Sequence, residues 1–257
     1  MSQLTNLENK VAVVTGSSRG IGKAIAIALA KLGADVVVTA RTVEEKDWIP
    51  GTIGATAKEI EALGRRTFSI QADLTHREDI ETLVTTVGRK FGHCDILINN
   101  AACFGKAAYH SSWELSLKSW DLQLALNVTA PFLLSQAFAT GMKDRGGGLI
   151  MNVTSGAATE AVSGLGYGTS KAALNRMTLG MAHDYRDANI PVIALDPGFT
   201  RTEITEIAAA GIGMDAKNAH PVEVPTKAAL YLITHDPMSY TGEVVIAEDL
   251  VKDRGLL

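Results

Sequence analysis

The stretch Val11-Ala12-Val13-Val14-Thr15-Gly16-Ser17-Ser18-Arg19-Gly20-Ile21-Gly22 decides the fold. Its first four residues are apolar and mostly β-branched, which suits a strand buried on both faces. Glycines follow at 16, 20 and 22, and the run from Ile21 to Leu32, stopped by Gly33, predicts a helix. A strand, a glycine-rich turn and a helix, in that order, present the free N–H groups of a helix N-terminus to a loop that a phosphate can approach. Glycines in such a loop serve a tight turn, close backbone approach to a diphosphate, and close helix–sheet packing. The spacing is not GxGxxG, and no GK[ST] follows, so it is not a Walker loop.

Outward from this loop, short apolar runs alternate with longer amphipathic ones. Strands are predicted at 35–39, 67–71, 96–98, 149–153, 191–195 and 243–247. Helices are predicted near 52–63, 76–90, 114–140 and 167–187, with helical pieces within 201–234. Such alternation builds βαβ units around a parallel sheet. The fold class expected is α/β, a doubly wound parallel sheet of about seven strands with helices on both faces. No repeat, low-complexity linker or composition break divides residues 1–257, which read as one domain. Two segments exceed a minimal layout. One is the charged connection from Arg41 to Gly51, with Trp48 and Pro50; the other is the small-residue-rich segment at about 199–221. Long connections in a compact domain are often functional. The first either folds over a bound nucleotide or is a surface insertion, and the second is a candidate lid.

Composition excludes several classes. The chain has 24 glycines in 257 residues, about 9% against a usual ~7%, with no collagen-like period. Net charge is −4, which argues against a nucleic-acid binder, since those usually carry a basic face. Cys94 and Cys103 make no CxxC pair, and the six histidines form no HExxH, so neither a disulfide framework nor a metal centre is suggested. Residues 1–10 are polar, no uninterrupted apolar run approaches ~18 residues, and the ending Arg254-Gly255-Leu256-Leu257 is not an SKL-type signal. A cytoplasmic protein with no membrane partner is expected.

Thr15 followed by Gly-x-x-x-Gly-x-Gly, Asn99-Asn100-Ala101-Ala102 after the fourth strand, Asn127, Ser155 after the fifth, Tyr167-Gly168-Thr169-Ser170-Lys171, and Pro197-Gly198 with Thr202 after the sixth occur in that order. Together they resemble the short-chain dehydrogenase/reductase family from about residue 8 to 247. The resemblance implies a Rossmann-type fold and hydride transfer between a nicotinamide cofactor and a carbonyl or alcohol carbon. It assigns Gly16, Ser18, Arg19, Gly20, Ile21, Gly22, Arg41, Asp73, Leu74, Asn100, Ala101, Pro197, Gly198, Thr200 and Thr202 to the cofactor, together with Tyr167 and Lys171. Asp73 has a second reading, as the N-cap of the next helix.

An acid at the end of the second strand, which would hold the ribose 2′-OH of NAD, is missing: Ala40 stands there and Arg41 follows. Arg41 and Arg19 can both contact a 2′-phosphate, so NADP(H) is expected to be preferred, with NAD(H) possible. Tyr167 and Lys171, four apart, share a helix face. An ammonium and the positive nicotinamide favour a phenolate, which lets Tyr167 act as general acid or base. Ser155 steadies the developing charge on the substrate oxygen; Thr154 beside it is the register alternative. By resemblance, Lys171 also holds the nicotinamide ribose and Asn127 supports a water that links Lys171 to solvent.

Pocket candidates are Cys103, Phe104, Ala157, Glu160, Val162 and Phe199, mostly small or apolar, which suits a moderately hydrophobic carbonyl substrate. Two departures from the family pattern stand out: Ala102 replaces a glycine, and Ile246-Ala247-Glu248-Asp249 replaces the usual DGG. Gly51-Thr52-Ile53 resembles an insertion of the hydroxysteroid dehydrogenase-like subgroup. The resemblance also implies a homodimer or homotetramer, with the helices near 114–140 and 167–187 forming the dimer contact. A non-catalytic NADP sensor is the alternative, although such proteins usually lose the tyrosine or lysine kept here. The longer epimerase branch carries an added C-terminal substrate region for which 257 residues leave no room.

Overall fold

The strands of the computed structural model, which describes residues 6–103, 110–161, 164–212 and 216–256, all lie within one residue of those expected. They are β1 (Val11–Thr15), β2 (Asp35–Ala40), β3 (Thr67–Gln71), β4 (Ile96–Asn99), β5 (Leu149–Val153), β6 (Val192–Asp196) and β7 (Val244–Ile246). They form one sheet in the order β3-β2-β1-β4-β5-β6-β7, every neighbouring pair parallel. The helices are α1 (Gly20–Lys31), α2 (Ile53–Ala62), α3 (Arg77–Phe91), α4 (Leu117–Leu124), α5 (Ala130–Asp144), α6 (Leu165–Asp184), α7 (Glu203–Ile212), α8 (Glu223–Thr234) and α9 (Ala247–Asp253).

The inner strands β1, β2, β4, β5 and β6 read as apolar runs because both faces are covered, whereas the edge strands β3 and β7 are partly exposed. Ala12, Val14, Val36, Val38, Ile96 and Ile98 point into one core with Ile25 and Leu29 of α1, Ile60 of α2, Leu232 of α8 and Val251 of α9. Val13, Val37, Leu97 and Ile150 point into the other, with Leu83 of α3, Leu134 of α5 and Met181 of α6. Each fully buried aliphatic side chain contributes about 1.5–3 kcal/mol relative to exposure.

Three features were not legible beforehand. The chain turns directly from β7 into α9, which begins at Ala247 where the family's usual DGG is missing. A π-helical segment, Ala125–Thr129, joins α4 to α5 and contains Asn127; such segments recur at functional sites. The stretch Leu117–Asp144 is long and apolar enough to cross a membrane (28 residues, mean hydropathy 1.2), but half of its most apolar window is buried in the protein. It is a core helix here, with Leu134 and Met142 fully buried.

The connection after β2 folds back rather than projecting. Arg19 donates to Pro50 O at 2.8 Å and to Gly51 O at 2.7 Å, and Ile49 is buried. Gly51 adopts φ +100°, and a Cβ there would meet Ser18 O at 2.6 Å. The insertion therefore lies against the glycine loop.

At the opposite end of the sheet, Asp95 ties β1 to β4. Its carboxylate accepts from Val11 N at 2.9 Å and pairs with Lys10 at 3.3 Å and Arg145 at 3.6 Å, while only 6% exposed. Removing it leaves a buried donor unpaired, at a cost of about 2–3 kcal/mol. We expect Asp95→Ala to lower Tm by roughly 5–10 °C in thermal unfolding and to leave ligand affinities unchanged, because this end lies opposite the cavity.

Candidate active site

The strand order reverses between β1 and β4, and in open α/β sheets ligands bind in the crevice outside the strand carboxyl ends at such a point. A cavity of about 820 Å³ opens there. Of the residues expected at the site, Gly16, Ser18, Arg19, Gly20, Ile21, Gly22, Arg41, Leu74, Asn100, Ala101, Ser155, Ala157, Tyr167, Lys171, Pro197, Gly198, Phe199, Thr200 and Thr202 line it, as do Glu160 and Ala102. Asp73, Cys103 and Asn127 do not form its wall. Phe104, Val162 and residues 213–215 of the lid candidate lie outside the described residues.

The glycine loop is built from both sides. Gly16 and Gly20 adopt φ +66° and +58°. Thr15 Oγ1 accepts from the N–H groups of Asn100 and Ala101 at 2.9 and 3.0 Å. The Asn100 amide donates to Thr15 O at 2.8 Å. A Cβ on Gly16 would meet Ala101 Cα at 2.9 Å, and one on Gly22 would meet Gly16 O at 2.6 Å. These two glycines therefore give clearance to the protein's own β4 end, whereas a Cβ on Gly20 would crowd Thr202 Cγ2 at 3.2 Å.

At the nucleotide end the two arginines separate. Arg19 uses Nε and Nη2 to hold the backbone of the insertion, while its side chain still lines the cavity. Arg41 is 65% exposed, with Asp73 Oδ2 at 3.7 Å as its ion-pair partner. Asp73 is not a helix cap: the N-cap of α3 is His76, and the Asp73 carboxylate accepts from Thr75 N and Oγ1 at 3.1 and 2.7 Å. Partial burial pushes its proton affinity up, but the Thr75 bonds and the Arg41 charge outweigh this and hold it below the ordinary value.

At the chemical end, α6 brings Tyr167 and Lys171 onto one face. Only a glycine allows the approach, since a Cβ on Gly168 would lie 2.8 Å from Ala157 O in the short 3₁₀ turn Gly156–Ala158. That turn is capped by Ser155, whose Oγ accepts from Ala157 N at 3.3 Å. Thr154, the register alternative, is buried at 2% exposure. Lys171 is also 2% exposed; its ammonium donates to Val153 O at 2.8 Å and lies 5.6 Å from the Tyr167 ring centre. Burial lowers its pKa from the ordinary 10.5 to about 8, opposed by the charge of Asp196. Asn127 accepts from Cys103 N at 2.8 Å and donates to Ser170 Oγ at 2.9 Å, and Ser170 Oγ donates to Tyr167 O at 2.7 Å. Its side chain thus braces the turn that carries Tyr167. Cys103, expected in the pocket, is partly buried against the core on the α3, α5 and α6 side, and its N–H donates to Asn127.

Two acids near the cavity carried no spacing signal in the sequence. Asp196 ends β6, lines the cavity and accepts from Gly198 N at 3.0 Å. Glu203 opens α7, and its Oε2 accepts from Gly20 N at 3.0 Å. A dinucleotide fits the donor set: the N-terminus of α1 already holds one anion, Glu203, and the β2 end offers Ala40, Arg41 and Thr42 without a carboxylate.

The comparisons with known proteins agree with this geometry. The family model described as short chain dehydrogenase matches residues 10–212. The chain is 33% identical over 248 residues to hydroxysteroid dehydrogenase-like protein 2 of Danio rerio, covering 95% of this chain and 58% of that protein. The chain therefore spans a little over half the length of that relative. It is 34% identical to an NAD-dependent glycerol dehydrogenase of Listeria innocua, covering 95% of this chain and 94% of that one. A short chain dehydrogenase from Burkholderia cenocepacia, solved in complex with NADP, superposes with a TM-score of 0.81 at 34% identity, over 94% of this chain and 97% of that one. A match over most of the chain, on the sheet order and cavity described, places it in one family: the chain belongs to the short-chain dehydrogenases/reductases.

Proposed function

We propose that the protein is an NADP(H)-dependent oxidoreductase that interconverts a carbonyl compound and a secondary alcohol. The observation that carries this reading is the convergence of Ser155, Tyr167 and the buried Lys171 on one wall of a cavity whose far end is the glycine loop. When bound, the nicotinamide dinucleotide supplies or accepts the hydride. Tyr167 gives its hydroxyl proton to the carbonyl oxygen in reduction and takes it back in oxidation. Ser155 donates a hydrogen bond to that oxygen as charge develops. The Lys171 ammonium, in a low-dielectric pocket, favours the phenolate left behind. Asn127 keeps Tyr167 in place through Ser170.

The preference for NADP(H) rests on Arg41, the exposed guanidinium beside Ala40. The relatives' names mention both nucleotides, so this chain's own residues must decide. Ala157, Phe199, Ile204 and Ile246 give the other end apolar walls, which supports a moderately hydrophobic carbonyl substrate. Leu117, Leu122, Phe132 and Leu179 are exposed on α4, α5 and α6, which supports a homodimer through those helices.

Tyr167→Phe tests the chemical role: turnover should fall about 10²–10⁴-fold while NADPH still binds; retained turnover would exclude Tyr167 as the proton carrier. Arg41→Asp tests the nucleotide: NADPH affinity should fall about 10–100-fold with little change for NADH, and equal losses for both would contradict the assignment. Lys171 gives a pH test. Its folded pKa, about 8, lies below the unfolded value of ~10.4, so the unfolded chain binds the proton more tightly. Burying the charge costs stability below pH 8, and the cost fades as pH rises towards 10. Lys171→Met should therefore raise Tm at pH 7 by roughly 2–5 °C, with the gain shrinking towards pH 10 in calorimetric scans.

A further inference from the structure

Glu203 has no part in the chemistry just described, yet it sits on the glycine loop. Its Oε2 accepts the Gly20 N–H at 3.0 Å. Gly20 is the first residue of α1, so this N–H is one of the free donors the helix end presents. A methyl group on Gly20 would lie 3.2 Å from Thr202 Cγ2 and 3.7 Å from the same carboxylate oxygen, which puts the acid directly over the loop. Glu203 also opens α7, so its charge lies at the positive ends of two helices.

The turn that delivers it is stiff. Thr202 N donates to Thr205 Oγ1 at 2.7 Å, Thr205 N to Thr202 Oγ1 at 3.2 Å, and Thr205 Oγ1 to Thr200 O at 2.8 Å. The base of the segment is tied independently. Arg201 N donates to His220 O and His220 N to Phe199 O, each at 2.7 Å, and His220 Nε2 reaches Glu248 of α9 at 3.1 Å. Among the described residues between 199 and 221, the base is thus fixed and Glu203 is moored on α1.

We propose that Glu203 is a surrogate anion that holds the diphosphate's place on α1 in the empty enzyme and must leave when the dinucleotide binds. The inference rests on the dinucleotide reading of the same site. A carboxylate and a phosphate oxygen cannot share the single Gly20 N–H, and at that distance they repel each other. Glu203 therefore weakens cofactor binding, speeds its release, and ties the position of α7 to occupancy of the loop. The diphosphate is common to NADPH and NADH, so the effect is the same for both, unlike that of Arg41.

The test is Glu203→Gln, which keeps the shape and an acceptor for Gly20 N–H but removes the charge, with Glu203→Ala beside it. Kd for NADPH and for NADH is measured by fluorescence titration, and Tm is measured for the empty proteins. Both variants should bind NADPH and NADH about tenfold more tightly by the same factor, while the empty proteins melt roughly 1–3 °C lower. A merely structural glutamate would weaken binding as well as stability, and one that contacts the cofactor would weaken binding alone. Unchanged or weaker binding in the variants, with binding by the parent intact, overturns this inference alone. If the parent binds neither dinucleotide, the cofactor reading falls with it.

Discussion

A lysine ammonium held almost out of solvent against a backbone carbonyl is what the chemical end of the cavity is arranged around. Lys171 donates to Val153 O, the last residue of β5, and is 2% exposed. The burial that lowers its proton affinity also strengthens its field, because little water screens it. Tyr167, whose ring centre is 5.6 Å away, sits in that field. Asp196, at the end of the neighbouring strand β6, offsets part of the burial penalty and keeps the ammonium charged over more of the pH range.

Holding a charge there requires rigid surroundings. Gly168 lets α6 close on Ala157 O. Beneath the site, Asn99 donates to Asn152 Oδ1 at 2.9 Å and to Ser135 Oγ at 3.1 Å, and Asn152 donates to Thr178 Oγ1 at 2.9 Å. These bonds fasten β4, β5, α5 and α6 together through buried polar groups, which are costly to leave unpaired and so fix one arrangement. The π-helical segment places Asn127 where it joins Cys103 to Ser170. At the far end, Thr15 and Asn100 do the same for the glycine loop.

How far the sequence carried depends on whether a feature was local. Strands buried on both faces give continuous apolar runs, so their bounds could be read closely. Glycines 16, 20 and 22, the Tyr167–Lys171 pair and Pro197-Gly198 lie on fixed spacings and end up around one cavity. Partners set by tertiary folding were not legible. That Arg19 also holds the insertion was hidden, because nothing local shows that residues 41–51 fold back to offer Pro50 O and Gly51 O. Cys103 follows Ala102 in the chain, yet turns inward to Asn127. Asp196 and Glu203 are single acids without a spacing signature, and α9 begins where the usual DGG is missing, so no pattern marked any of them.

The charge state of Lys171 is the point on which the account turns, and it can be observed directly. Site-resolved NMR titration of the lysine side chain in the ligand-free protein should give Lys171 a pKa near 8, well apart from the surface lysines. A value at the ordinary 10.5 would mean that the ammonium is solvated, and would contradict the buried charge from which the chemistry of Tyr167 is derived.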